Sequence, residues 1–225
     1  MSFERIAKPV ERELLLAELR EDKLLRKTNK GSNEIYCFTA HECPNLMQEV
    51  GREIYCFTAH ECPNLMQEVG RLREFAFRSA GGGTGKATDI DEYDIAETPY
   101  HQLIVWSPSE QQILGGYRYI VCKDAKQNNE GELQLATTHM FHFSEQFKVE
   151  YLPYTIELGR SFVHPDYQSS NKRVVPKSIF ILDNLWDGIG ALVQVFPQIK
   201  YFFGIGASFS SDKVLFWKNY DVSTL

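Results

Sequence analysis

Glu157 and Arg160, three residues apart in the stretch ELGRSFVHPDYQ, are the first pair in this chain suited to acid–base work. A carboxylate flanked by apolar residues can act as a general base or hold a water that does. It can equally form a structural ion pair with an arginine. On a regular strand Glu157 and Gly159 share one face, and Leu158 and Arg160 take the other. The acidic stretch DIDEYD supplies Asp91 and Asp94, and with Arg73 these could form an arginine–carboxylate network. Such a network either fixes a loop over a site or ties a helix to a loop. Arg118, set between Tyr117 and Tyr119, can neutralise a carboxylate or lie on the surface, as most arginines do.

Other chemistries fail on spacing. The loop SAGGGTGKAT invites a phosphate-binding reading, but GxxxxGK[ST] would need glycine at Ala80 and a hydroxyl residue at Ala87. It reads instead as a flexible loop on the substrate side that ends a helix. Ser161, His164 and Asp166 lie too close along one strand to form a triad, and the G-x-S-x-G elbow is missing. His139 and His142 lack a third ligand. The C-x5-C spacing of Cys37/Cys43 and Cys56/Cys62 is not that of a zinc knuckle. Reduced thiols and no metal are expected.

Pattern along the chain defines the scaffold around these residues. The 225 residues, 43% hydrophobic and 24% charged, suit one domain or a domain with an appendage. Residues 34–52, EIYCFTAHECPNLMQEVGR, recur letter for letter at 53–71. Diverged repeats keep a pattern and lose letters, so a perfect copy present only twice reads as a tandem insertion and not a repeat fold. Residues 10–27, with leucines at 14, 15, 16, 19, 24 and 25, read as an amphipathic helix. Residues 1–33 are thus an N-terminal helical extension, 34–52 the extra copy, and 53–225 the domain proper. In the domain, EIYCFTA reads as a strand, and a helix comes next with Pro63 in its first turn and Leu65, Val69, Leu72 and Phe75 or Ala76 on one face. The second copy should fill both places, because it alone runs on into LREFAFRSA. HQLIVWSPSEQQILGGYRYIVC is a hairpin, LQLATTHMFHF an extended stretch, YTIELGRSFVHPDY a strand, SIFILDNLWDGIGALVQVF a largely buried helix and IKYFFGIGASF a strand. The order implies a mixed α/β sheet.

Three stretches together, DIDEYD (89–94), GGYRYI (115–120) and ELGRSFVHPDYQ (157–168), resemble the GNAT-superfamily acyltransferases that use acyl carrier protein. They resemble in particular the hemolysin-like branch of ornithine and glycine N-acyltransferases of aminolipid synthesis, with acyl-homoserine-lactone synthases as more distant relatives. The family pattern is an arginine in the first helix, an acidic I-D-x-Y/F-D stretch, an arginine in the next hairpin, and E-x-x-R on the fourth strand. Arg73, then Asp91 with Asp94, then Arg118, then Glu157 with Arg160 match it in order within residues 53–204.

The resemblance implies a single-domain, GNAT-like mixed twisted sheet flanked by helices. It implies transfer of a fatty, or 3-hydroxy fatty, acyl group to the amine of glycine or ornithine. Glu157 and Arg160 would be catalytic, and Arg73, Asp91, Asp94 and Arg118 would shape the amino-acid pocket. GNAT members carry a bulge on the fourth strand, which Gly159 permits; a bulge could free a backbone N–H for the oxyanion and bring Glu157 and Arg160 towards one pocket. No cofactor is expected to be resident. The Q/R-x-x-G-x-G/A loop that grips a pyrophosphate is absent from YQSSNKRVVPKSIF, so acyl carrier protein, with its phosphopantetheine arm, is the expected donor ahead of acyl-CoA. Lys172, Arg173 and Lys177 form a basic cluster where that acidic carrier could dock.

The net charge of −6 argues against a nucleic-acid partner. The charged N-terminus and the short apolar runs lead to a cytoplasmic expectation, with peripheral contact at the inner face of the membrane compatible with a lipid product. Nothing after about Gly204 is familiar, which suggests a divergent or shortened C-terminus. Two other readings stay open: an inactive or truncated GNAT-fold binding module, and an autoinducer-type synthase using S-adenosylmethionine.

Overall fold

The computed structural model describes residues 3–27, 34–39, 62–128, 131–168, 175–206 and 213–218. Seven strands form one sheet in chain order: β1 (Leu24–Lys27), β2 (Glu34–Thr39), β3 (His101–Ser107), β4 (Gln112–Val121), β5 (Thr155–Val163), β6 (Tyr201–Gly206) and β7 (Lys213–Lys218). Every neighbouring pair is antiparallel except β5–β6. Helix α1 (Arg12–Glu18) and helix α2 (Pro63–Ser79) pack together, and the short α3 (Glu92–Ile95) comes after the glycine loop. A parallel pair of strands needs a crossover, and α4 (Val175–Val195) supplies it for β5 and β6.

Period-two alternation gives β3 two buried faces. Leu103 and Val105 meet Ile181, Leu185 and Leu192 of α4, while Ile104 and Trp106 meet Leu65, Val69, Leu72 and Ala76 of α2. Of the two residues offered for the last place on the α2 stripe, Ala76 is buried and Phe75 is partly exposed. On β4 the alternation sends Tyr117 and Tyr119 to the α4 side and leaves Arg118 and Ile120 on the other. This puts a charged residue inside the sheet.

Four expectations from sequence are corrected. Residues 10–27 are not one helix: α1 ends at Glu18, and Leu24–Lys27 pairs with β2 as β1. Seven residues are too few to hold a helix by themselves, and an adjacent sheet edge outweighs weak helical propensity. Residues 1–33 are therefore partly sheet and not a helical extension.

The second correction concerns the duplication. β2 comes from the first copy, pairing Glu34–Thr39 with His101–Trp106, whereas α2 comes from the second. Identical letters give identical ladder partners, so the choice rests on chain connection. The first copy lies next to β1 in sequence, with Lys27 opposite Glu34, and loop closure favours the near partner. Only the second copy continues into LREFAFRS, so it alone can supply α2. Residues 34–52 are thus not simply an appended copy, and 40–61 lie outside the described residues.

Third, the glycine loop is anchored and not free. Buried Glu74 accepts hydrogen bonds from Thr84 N (2.9 Å), Thr84 Oγ1 (2.6 Å) and Gly85 N (2.9 Å), and pairs with Arg78 at 2.6 Å. Glu4 N and Ala7 N add bonds to the carbonyls of Gly85 and Ala87. Fourth, the ATTH portion of LQLATTHMFHF is a 3-10 turn over Ala136–His139. Leu135 is buried there against Tyr100 and Ile120, which bends the segment inwards.

Candidate active site

The site begins with an irregularity in β5. Arg118 stands opposite Gly159 and Gly116 opposite Phe162, so Tyr117 of β4 faces two residues, Arg160 and Ser161. This is a β-bulge, one position beyond the glycine expected to permit it. Arg160 carries the backbone signature, with φ of 51°. The adjoining positions of β4 are glycine for steric reasons. A Cβ at Gly116 would lie 2.6 Å from the Leu103 carbonyl oxygen, and one at Gly115 would lie 2.8 Å from that of Phe162.

The extra residue resets the alternation. Phe162 joins the α2-side cluster, and Arg160 reaches Asp89 (3.4 Å) and Asp91 (3.3 Å), with its guanidinium 6.0 Å from the Phe77 ring centre of α2. A regular strand would have put Arg160 on the face opposite Glu157. The bulge brings both to one side.

Asp91 is the hinge of the network. It is the N-cap of α3, accepts from Tyr93 N, and forms a reciprocal capping box with Asp94. The same carboxylate accepts from Arg118 Nη1 at 2.6 Å and Arg160 Nη2 at 3.3 Å. Asp94 takes Arg73 at 3.1 Å and Gln102 Nε2 at 2.8 Å, and Gln102 Oε1 in turn accepts from Arg73 Nη2. Arg73, Arg118 and Arg160 thus balance Asp89, Asp91 and Asp94, which is how charges survive burial. Burial opposes the Arg118 charge, but Asp94 and Asp91 outweigh it and hold its pKa above the ordinary arginine value. Burial also pushes Asp91 up, yet Arg118 and Arg160 bring it below the usual carboxylate range.

Glu157 sits beside this network and makes no ion pair among the described residues, so it is not the structural ion pair that spacing alone allowed. It is 1% exposed, accepts Tyr100 Oη on Oε1 and Thr137 Oγ1 on Oε2, each at 2.9 Å, and is pushed up to about 7 by burial. The two hydroxyls oppose that shift. Arg118 lies over the Tyr100 ring, 4.9 Å from its centre, linking the carboxylate to the arginine–aspartate network. A group that titrates near pH 7 in a dry setting can take and return a proton, which is what a general base requires.

The structure therefore gathers Arg73, Asp91, Asp94, Arg118, Glu157 and Arg160, but not on equal terms. Arg73 and Asp94 are closed off from solvent, whereas Arg160, with 32% of its side chain exposed, and Asp91 reach the surface. Lys172 and Arg173 lie outside the described residues, and of Lys177 only its place in α4 is described. Asp89, Tyr100, Gln102 and Thr137 were not singled out by sequence. Gln102 did carry a signal, as an amide inside the apolar strand HQLIVWS, whereas Thr137 carried none.

Two further features border the site. The β5–β6 ladder stops at Leu158↔Gly204 although β5 continues to Val163 and β6 to Gly206. A cavity of about 620 Å³ opens between α3 and the excursion joining β4 to β5. No helix among the described residues is long and apolar enough to cross a membrane.

A mixed sheet with one parallel pair, a helical crossover and a bulged β5 is an α/β fold of the GNAT-like kind, in a single domain. Residues 72–175 match the family model described as an acetyltransferase (GNAT) domain. Among curated proteins, the glycine N(alpha)-acyltransferase of Phocaeicola vulgatus is 54% identical over 202 residues, covering 90% of this chain and 56% of that protein. The glycine N(alpha)-acyltransferase of Bacteroides thetaiotaomicron is 55% identical over 202 residues, covering 90% of this chain and 54% of that protein. The chain spans about half the length of these curated relatives. No solved structure matches it.

Proposed function

We propose that this chain carries the acyl-transfer site of an N-acyltransferase, which moves a fatty acyl group from a thioester to the amine of a small amino acid, glycine first, in aminolipid synthesis. The observation that carries the reading is Glu157: a buried carboxylate that titrates at about 7, beside a bulged strand and an arginine–aspartate network. The printed names of the two relatives support glycine as acceptor.

In this reading the amino acid arrives as an ammonium and gives a proton to Glu157, directly or through a water. The freed nitrogen attacks the thioester carbon, forming C–N as C–S breaks. The departing thiolate takes up the second proton lost by the nitrogen, leaving an N-acyl amino acid and a free thiol, and Glu157 then releases the first proton to water. Backbone N–H groups of β5 past Leu158, where the ladder to β6 has ended, meet the developing oxyanion. Arg160 and Asp91, at the exposed edge of the network, address the amino acid's carboxylate and ammonium.

The donor in this proposal is acyl carrier protein, ahead of acyl-CoA. The missing pyrophosphate loop and the basic cluster of Lys172, Arg173 and Lys177 support it. Such a protein works in the cytoplasm, in contact with the inner face of the membrane where its product goes.

The test is incubation with 3-hydroxyacyl-loaded carrier protein and glycine, ornithine or S-adenosylmethionine, with products read by mass. N-acylglycine, lost in Glu157→Gln, is expected. No product with any amine would favour a non-catalytic binding module, and product with S-adenosylmethionine alone would favour a synthase. Replacing the carrier by acyl-CoA, and reversing the three basic charges, tests the donor. Undiminished carrier binding by the reversed variant at low salt would remove the docking assignment.

A further inference from the structure

Two reactive side chains that the transfer step does not use meet in the interior. Lys23 ends the 3-10 turn Glu21–Lys23 that leads into β1, and Cys62 is the N-cap of α2. They lie 39 residues apart in sequence, and Lys23 Nζ donates to Cys62 Sγ. Lys23 is 3% exposed and Cys62 0%, so bulk water solvates neither. Cys62 belongs to the apolar cluster of Leu15, Leu65 and Met66, with Leu24 packed against it.

A thiol sulfur is a weak acceptor, so this contact does little to offset the cost of a buried ammonium. Burial pushes the Cys62 thiol up, and the hydrogen bond and charge of Lys23 pull against it without overcoming it. Glu18 is also close, and its carboxylate accepts from Asn64 N (3.1 Å), Asn64 Nδ2 (2.9 Å) and Leu65 N (2.7 Å) at the start of α2. An amine nitrogen and a sulfur from two separate elements are thus held in contact in dry surroundings.

We propose that Lys23 and Cys62 are a covalent modification site, an N–O–S bridge made by dioxygen that fastens the start of β1 to the start of α2. The ammonium first releases a proton to solvent. The thiol then loses S–H and the amine one N–H; one oxygen atom is inserted between sulfur and nitrogen, and the other leaves as water with those two hydrogens. Sulfur and nitrogen each give up two electrons, and the four reduce dioxygen fully. The bridged nitrogen is not an ammonium, so the cost of burying a charge disappears. The bridge does not depend on the acyl-transfer reading.

Position favours this product over ordinary thiol oxidation. A disulfide needs a second cysteine, and Cys122, the other described one, lies in a different cluster with Tyr100, Ile120 and Leu135. A sulfinic acid would place a new charge among Leu15, Leu65 and Met66. β1 has four residues and stands at the end of the sheet, and α1 has seven, so brief local opening admits a diatomic gas.

The test is mass analysis of the full chain, prepared under dithiothreitol without oxygen and then held in air-saturated buffer. Wild type should gain about 14 Da, one oxygen less two hydrogens. After trypsin, residues 21–26, uncut at Lys23, should be joined to residues 53–71, with fragmentation placing the link at Cys62 and not at Cys56. The first copy of the repeat is distinguishable, since its peptide begins at Gly31. Closing a loop of 39 residues should also raise the unfolding midpoint of the aerated protein, and dithiothreitol should reverse both changes. Cys62→Ser keeps a good N-cap and Lys23→Met keeps an apolar stem, and neither should show the gain in mass or midpoint. The linked peptide is read on wild type alone, so a variant that does not fold leaves the test intact. Unlinked peptides after aeration, a sulfenamide about 2 Da lighter than the reduced chain, or a sulfinic acid about 32 Da heavier overturns the proposal.

Discussion

Tyr100 donates its hydroxyl to Glu157 at 2.9 Å while accepting from the backbone N–H of Ala136 at 2.8 Å. The phenol is saturated and cannot turn elsewhere. With Thr137 on the second oxygen, Glu157 is held in one orientation, satisfied but shielded from bulk water. Burial raises its pKa to about 7 against the pull of both hydroxyls.

Removing either hydroxyl should therefore raise the pKa further, because both bonds favour the charged form. In Tyr100→Phe and Thr137→Val the rise of kcat/KM with pH is expected to move to higher pH than in wild type. Glu157→Gln should abolish that rise and lower kcat by ~10²–10⁴. Profiles of the four proteins decide it; a Tyr100→Phe limb that stays in place would disconnect Tyr100 from the base.

The same group makes stability depend on pH. Its folded pKa, about 7, stands above the unfolded glutamate range, so the folded state holds the proton more tightly. Stability from this group is complete at low pH and is lost as pH rises through the unfolded pKa towards about 7. Glu157→Gln should flatten this loss. Urea unfolding at about pH 5 and about pH 8 measures it, and an equal decline in both proteins would refute the linkage.

Asp91 serves two arginines and the start of α3 at once. Asp91→Asn leaves Arg118 buried with a weakened partner and is expected to cost about 3 kcal/mol, in the range for breaking a buried ion pair. Arg160→Lys, at the exposed edge, should cost less than about 1 kcal/mol. Denaturant midpoints compare them, and similar losses would mean that the network is not ordered from inside outwards.

The bulge makes its own demand. Arg160 adopts φ of 51°, which glycine accepts freely and a β-branched residue does not. Arg160→Val should be less stable than Arg160→Gly by about 1–2 kcal/mol, although both lose the same ion pairs. Thermal unfolding of the two variants reads this directly, and a more stable valine variant would place the extra residue elsewhere.

Deleting residues 40–58 removes one copy of the duplicated segment and gives the same sequence whichever copy is counted as lost. β2 and α2 are then joined by a short connection. The deleted chain should fold with the same β2–β3 register and an equal or higher unfolding midpoint, since the competing strand copy disappears and the connection between β2 and α2 shortens. Loss of cooperative unfolding would show that the first copy does more than repeat.

Much of the sheet was readable from residue order. The β3–β4 hairpin, β5 ending before Pro165, the α4 crossover and β6 all correspond to apolar runs bounded by turn signals. The failures have a common cause. Leucines 14–25 suit a helix locally but meet a sheet edge, the two repeat copies differ only in their chain neighbours, and Glu74 binds a loop whose composition suggests freedom. Each is settled by how the segment connects to and packs on its neighbours, not by its own composition.

Part of the site was legible in the letters through the family resemblance: the acidic stretch, Arg73, Arg118, and the Glu157–Arg160 pair on one strand, but not Tyr100, Gln102 or Thr137. These are matters of residue type and spacing. Their contacts came with the folded arrangement. A single extra residue in β5 turns Arg160 to the side of Glu157, and burial under Tyr100 and Thr137 tunes the carboxylate towards neutral pH. Strand register and dielectric surroundings arise from long-range packing, and no local pattern of letters encodes either.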